Sequence, residues 1–179
     1  ATLDKNGNLT YKPTSGGFNG QIPMVNGTRS PYLEVKRAVY RFRILNGANS
    51  RIFGVALGNG GAMKLIGNDG GLLATMTEQT RMDIAPAERL DVLVDFRGLS
   101  SGSTLMLRDL RSGWDLLEFR VTGNTQVSYT FPSPNLSTIV PLSNPVRERN
   151  FSFDGMTKIN GKEFDMNRVD WEVPFGETE

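Results

Sequence analysis

"ERLDVLVDF", residues 88–96, decides the fold. Leu90, Val92, Val94 and Phe96 recur at every second position, so an extended chain places all four on one face. A helix would scatter them around its circumference. The preceding "TRMDIAP" (residues 80–86) is another short strand, stopped by Pro86. Upstream, "VYRFRILN" (residues 39–46) alternates in the same way. Tyr40, Phe42 and Ile44 face one side, and Arg41 and Arg43 the other. Asp91 and Asp95 share the i, i+2 spacing of the two arginines. This predicts that they supply counter-charge from a neighbouring strand.

The rest of the first 121 residues extends this texture. "RIFGVALG" (residues 51–58) reads as a strand with a bulge at Gly54. "AMKLIGNDGGLL" (residues 62–73) reads as strand, turn and strand, with Asn68, Asp69, Gly70 and Gly71 suited to a tight reversal. "STLMLRDL" (103–110) and "LLEFRV" (116–121) complete about eight strands. Their spacing is that of an all-β sandwich or barrel, with at most one short helix. The opening "ATLDKNGNLTYKPTSGGFNG" (1–20) reads as loop.

After Val121 the pattern stops. "TGNTQVSYTFPSPNLSTIVPLSNPV" (122–146) carries Pro132, Pro134, Pro141 and Pro145 and few charges, as an extended linker would. "RERNFSF" (147–153) alternates once more. "INGKEFDMNRVDWEV" (159–173) then echoes "MVNGTRSPYLEV" (24–35): an apolar residue, Asn-Gly, a polar insert, and an apolar-Glu-Val strand. Asn-Gly alone recurs by chance. The matching Glu-Val strand and the proline-rich stretch between the copies make it a repeat of one β-domain. The first copy, at about 120 residues, can bury roughly two-thirds of its unfolded surface. The second is too short to do so. Its strands need a sheet partner and a facing layer, or must stay disordered, pair with the first domain's edge, or self-associate with another copy.

Composition narrows function. With 20 basic and 19 acidic residues, nothing in the charge favours nucleic acid, and no apolar run reaches membrane-span length. The chain has no His and no Cys. It therefore lacks the thiolate nucleophile, the near-neutral base and the usual transition-metal ligands, and no disulfide framework is available. This predicts no catalytic, cofactor-binding or metal residue in this chain. Asp69 is explained by turn chemistry. Asp4 and Asn6 in "DKNGN" hint at a calcium loop, but the required spacing and closing glutamate are missing. The seven methionines are scattered, as core fillers are. Asn8, Asn26, Asn135 and Asn150 open sequons, and Trp171 reads as core of the second copy.

The run "MVNGTRSPYLEVKRAVYRFRILNGANSRIF", "IGNDGGLL", "IAPAERLDVLVDF" and "LLEFRV" resembles the second cupredoxin domain of bacterial three-domain multicopper oxidases, the laccase-like, spore-coat-like and bilirubin-oxidase-like enzymes. "MTKINGKEFDMNRVDWEVPFGETE" resembles the opening of their third domain. Two departures stand out. Gly61-Ala62 replaces what is often a polar pair, and Ala87 stands where glycine is usual. The resemblance implies a middle domain over 1–122, a linker over 123–146, and the first strands of the next domain over 147–179. It implies copper in the parent protein but outside this chain, bound by His-x-His pairs and a Cys in flanking domains. One-electron oxidation of phenols or metal ions would be coupled there to reduction of O2 to water. The flanking domains are then the partners, the location is extracytoplasmic, and the gene continues beyond Glu179. A copper-free cell-division scaffold on the same fold is the alternative, and a free-standing β-sandwich binding module a third reading.

Overall fold

The computed structural model describes residues 2–10, 17–142 and 144–179. Two compact units emerge, Ala1–Thr138 and Ile139–Glu179. No helix occurs among the described residues.

The first unit opens with a hairpin, β1 (Thr2–Leu3) and β2 (Leu9–Thr10), where loop was expected. Asp4 closes its turn. Its Oδ1 accepts from the N–H groups of Asn6 (2.8 Å) and Asn8 (2.9 Å), which lets a short polar sequence pair without an apolar core. Nine strands follow: β3 (Tyr32–Lys36), β4 (Val39–Leu45), β5 (Phe53–Leu57), β6 (Met63–Asn68), β7 (Gly71–Gln79), β8 (Met82–Ile84), β9 (Arg89–Asp95), β10 (Thr104–Asp109) and β11 (Trp114–Thr122). They form two sheets, one in the order β3-β11-β10-β5-β8 and the other β4-β9-β6-β7. The all-β sandwich read from the alternation is the observed architecture.

Its core lies between the sheets. Val92, Val94 and Phe96 face Val35, Val55, Leu105, Phe119 and Val121, and all are buried. Tyr40, Phe42 and Ile44 pack against this cluster from β4, on the face their alternation predicted. Aromatic edges tie the layers together. Phe96 meets Phe119 at 4.9 Å between centroids, and Phe42 meets Phe119 at 5.4 Å. Each fully buried large side chain here contributes about 1.5–3 kcal/mol.

Gly54 differs from its expected role. Its register with Asp83 is regular, and the bulges lie instead at Ile66 of β6, against β9, and at Leu116 of β11, against β10. Glycine at 54 marks a close approach: a Cβ there would come within 3.1 Å of Arg81 and Asp83 side-chain atoms, which would have to shift by a few tenths of an ångström. Gly67 is needed at its bulge because a Cβ would sit 2.8 Å from the Gly71 carbonyl oxygen.

In the second unit, β12 (Phe153–Asp154), β13 (Lys158–Ile159) and β14 (Lys162–Glu163) form a small antiparallel meander. The repeated Asn-Gly phrase is a structural repeat. Asn26 and Gly27 have φ of 49° and 78°, and Asn160 and Gly161 have 51° and 73°. Both turns bring their flanking residues into pairing, Val25 with Thr28 and Ile159 with Lys162. Two successive positive φ values are the signature of a type I′ turn. The matches end there. Of "RERNFSF" only Phe153 enters a strand, the two-residue β12, and "DWEV" forms no strand. Its counterpart β3 has a single neighbour, β11, paired in parallel from Tyr32↔Glu118 to Thr122↔Lys36. The described residues of the second unit contain nothing in β11's place.

Candidate functional site

The residues singled out for turns are engaged in turns. Asp69 sits at the tip of the β6–β7 hairpin, where Asn68 pairs with Gly71. Its Oδ1 accepts from the backbone N–H of Arg89 (3.1 Å) and forms an ion pair with the Arg89 side chain (Nε at 2.8 Å), so it ties the hairpin tip to β9. Asp4 is held below the usual carboxylate range, first by the Asn8 backbone N–H and then by the Asn8 side chain. Its oxygens face N–H donors, a poor setting for a cation.

A buried carboxylate, Asp109, stands at the end of β10, which the sequence reading did not single out. Asp109 is fully buried. Oδ1 accepts from Gly54 N (2.7 Å) and Arg111 N (3.0 Å), and Oδ2 from Ser112 N (3.2 Å) and the Ser112 hydroxyl. Burial pushes its pKa up, but the combined donors, led by the Ser112 hydroxyl and Gly54 N–H, hold it below the usual range. The signal was present in "DLRSG": an aspartate followed by Ser-Gly closes an Asx-type turn. Above Gly54, Asp83 is clasped by Arg111 and Arg81 and its pKa is lowered to about 2, with Arg111 the larger cause. Glycine at 54 thus lets a surface ion cluster close over a buried carboxylate. These carboxylates are each satisfied by neighbouring donors.

The arginine–aspartate expectation on β4 and β9 divides. The two strands are neighbours, with Arg43 opposite Asp91. Arg41 donates to Asp91 through Nε (2.8 Å) and through a second nitrogen, and Arg43 stands 4.0 Å from the same carboxylate. Asp95 turns instead to Arg97, two residues on, which reaches both of its oxygens. Val39 lies opposite Asp95, so no β4 arginine is in register with it.

The proline-rich stretch does not all leave the first unit. Val127 N donates to Arg37 O (2.8 Å), and the Arg37 guanidinium reaches Asn124 O (3.1 Å) and Arg97 O (3.1 Å). Arg97 NH1 reaches Tyr129 O (2.9 Å). Further on, Met76 N donates to Pro134 O (2.7 Å) and Leu136 N to Ala74 O (2.9 Å). This segment therefore runs along β7, an edge of the four-stranded sheet.

In the second unit a recess of about 510 Å³ is lined by Arg147, Arg149 and Glu179 among others. Arg149 donates to both carboxylate oxygens of Glu179 and to Glu172 O, so its charge is already used. Trp171, read as core, is instead exposed, because the described residues of its unit supply no facing layer; its ring meets Phe151 edge-on at 5.1 Å. Phe153, Phe164, Met166 and Val173 stay exposed.

The donor set does not fit a copper centre. The chain offers no imidazole and no thiolate. Among the described residues no group of three or more carboxylates converges. Of the methionines, Met63 and Met82 are buried in the sandwich core, far in the sequence from the exposed Met156 and Met166. Soft thioether ligation needs several sulfurs together.

Residues 1–106 match the family model described as multicopper oxidase. Among curated relatives, the "Cell division protein FtsP" of Photorhabdus laumondii is 33% identical over 191 residues, covering 94% of this chain and 39% of that protein. The "Laccase" of Bacillus subtilis is 38% identical over 113 residues, covering 59% of this chain and 22% of that protein. Among solved structures, the McoA multicopper oxidase of Aquifex aeolicus superposes with a TM-score of 0.79 at 36% identity, over 89% of this chain and 38% of that one. The chain thus spans about two-fifths of the length of the first relatives it matches. A family model covering more than half of the sequence, together with that sandwich, decides the matter: the chain belongs to the multicopper oxidase family.

Proposed function

We propose that this chain is the copper-free middle portion of a laccase-like oxidase. In this reading residues 1–122 form the middle domain, 123–146 connect it onward, and 147–179 open the following domain. The parent protein couples one-electron oxidation of phenols or metal ions to the reduction of O2 to water, outside the cytoplasm. The copper lies in the flanking domains, which are this chain's partners. The role of the present residues is spatial: a rigid sandwich that holds its neighbours at a set separation and walls the substrate cleft.

The observation that carries the reading is the repeated type I′ turn. It supports a second opening of the same fold after the first, in a chain without a single His or Cys. A family member that bound copper in this stretch would need those side chains here. The test is to obtain the parent protein and measure bound copper and O2 uptake with a phenolic reductant. His-x-His pairs and a Cys on the flanking sequence, with bound copper and O2 consumption, support the proposal. A flanking sequence that folds but lacks those ligands overturns it.

A second reading rests on a specific observation. The "Cell division protein FtsP" relatives match 94–99% of this chain, whereas the "Laccase" relative matches 59%. A copper-free scaffold acting through protein contacts would leave O2 uptake at background while the protein stays folded.

A further inference from the structure

Leu93 lies on the wrong face. On β9 it alternates with Val92 and Val94, which point into the core, so it points away from the core. Yet it is only 5% exposed. Its cross-strand partners are Arg41 on β4 and Lys64 on β6. Lys64 Nζ stands 4.9 Å from the Phe131 ring centroid, and Arg97 Cζ stands 5.3 Å from the same ring. Tyr129 packs edge-on against Phe131 at 5.2 Å. Charged stems and two aromatic rings thus roof an apolar side chain on the outer face of a sheet.

The same segment then pairs with the sheet edge. Thr75 and Asn135 are antiparallel partners, with Met76 N bonded to Pro134 O and Leu136 N to Ala74 O. An unpaired β7 would offer its amides and carbonyls to any passing strand. Pro132 and Pro134 limit the segment to an extended form and allow only a short pairing.

We propose that residues 124–138 are a strap bound in cis to a peptide-recognition surface on the four-stranded sheet. The surface consists of the β7 edge and the Lys64–Arg97 clip above Leu93. Its occupant is this chain's own Tyr129–Leu136, recognised by strand addition and by cations on aromatic faces. The strap blocks the edge. When it lifts, the exposed edge and Leu93 associate with a second copy of the chain.

The geometry supplies a direct test. The two hydrogen bonds flank Thr75 and Asn135 rather than joining them, which makes this a non-hydrogen-bonded pair. Such pairs bring Cα atoms to about 4.5 Å, within disulfide range. The chain has no cysteine to compete. In Thr75→Cys/Asn135→Cys, mild oxidation should remove both thiols and leave a monomer. A separate Tyr129→Ala/Phe131→Ala variant alters only the strap. Amide exchange at Met76 and Leu136 should then rise about tenfold or more, with Val92 unchanged. This variant should self-associate as concentration rises, and adding the cysteine pair should reverse that. Persistent free thiols in the folded chain, or a disulfide formed only between chains, overturns the strap. Unchanged exchange at Met76 and Leu136 also overturns it. Faster exchange without self-association overturns the blocking role.

Discussion

The backbone N–H of Gly54 donates to the buried carboxylate of Asp109 across 2.7 Å, joining the start of β5 to the end of β10. The same carboxylate receives the N–H groups that open the β10–β11 turn. One side chain therefore fixes a hairpin and its neighbour at once.

Asp109→Ala should destabilise the first unit by about 2–4 kcal/mol, because several buried donors lose their acceptor together. Asp109→Asn should cost less, since its carbonyl oxygen still accepts. Urea unfolding of each variant measures this. The pH dependence has a definite sign. The folded carboxyl is more acidic than the unfolded one, so its stabilisation is present above the unfolded value near about 3.9 and is lost as pH falls through the folded pKa. Asp109→Asn should flatten stability in that acidic window.

Ala87 has a φ of 69°, a left-handed conformation that disfavours any Cβ. It is held there by its N–H bond to Asn46 O at 2.8 Å. Ala87→Gly should stabilise by about 0.5–1 kcal/mol, the relieved strain outweighing the added unfolded-state entropy. A rise of a few degrees in Tm is the expected readout.

Gly67→Ala should cost about 1–3 kcal/mol. Its Cβ would meet the Gly71 carbonyl oxygen at 2.8 Å and the Asp91 Cβ at 3.3 Å, and the first of these is backbone. Thermal unfolding that leaves Tm unchanged would show that the β6 bulge relaxes freely.

The Arg41–Asp91 pair is half-exposed on the arginine side. A double-mutant cycle on Arg41→Ala and Asp91→Ala should give a coupling below about 1 kcal/mol, falling further with added salt.

Copper loading tests the chemistry of the chain itself. After incubation with Cu(II) and dialysis, elemental analysis should find far less than one copper per chain, given no His and no Cys.

Much of the sandwich was legible because alternation has one physical meaning: one face buried, one not. "ERLDVLVDF" and "VYRFRILN" gave their strands, faces and adjacency directly. Leu93 was not legible, because its cross-strand neighbour Lys64 is engaged by Phe131, in a segment more than thirty residues later in the chain. The same holds for Asp95, whose expected partner failed on register rather than on charge. Gly54 was read as a bulge because glycine in a strand signals either a bulge or a close approach, and only coordinates distinguish them. "DWEV" has strand composition, but among the described residues of its unit no strand pairs with it. Asp109 was hidden by its ordinariness: an aspartate near Ser-Gly is common, and its burial depends on β5 lying alongside.

The parallel pairing of β3 with β11 has a consequence for how the unit is made. Tyr32 must wait for Glu118, about 86 residues further on. At ribosomal rates of about 5–20 residues per second, that is a delay of roughly 4–17 s. The four-stranded sheet spans Val39 to Asp95 and can close earlier. During the interval one wall of the core stands formed while Phe42 and Phe96 lack Phe119. Ordering by synthesis makes the last strand the slow, committing step, and makes the nascent chain stickiest just before it arrives.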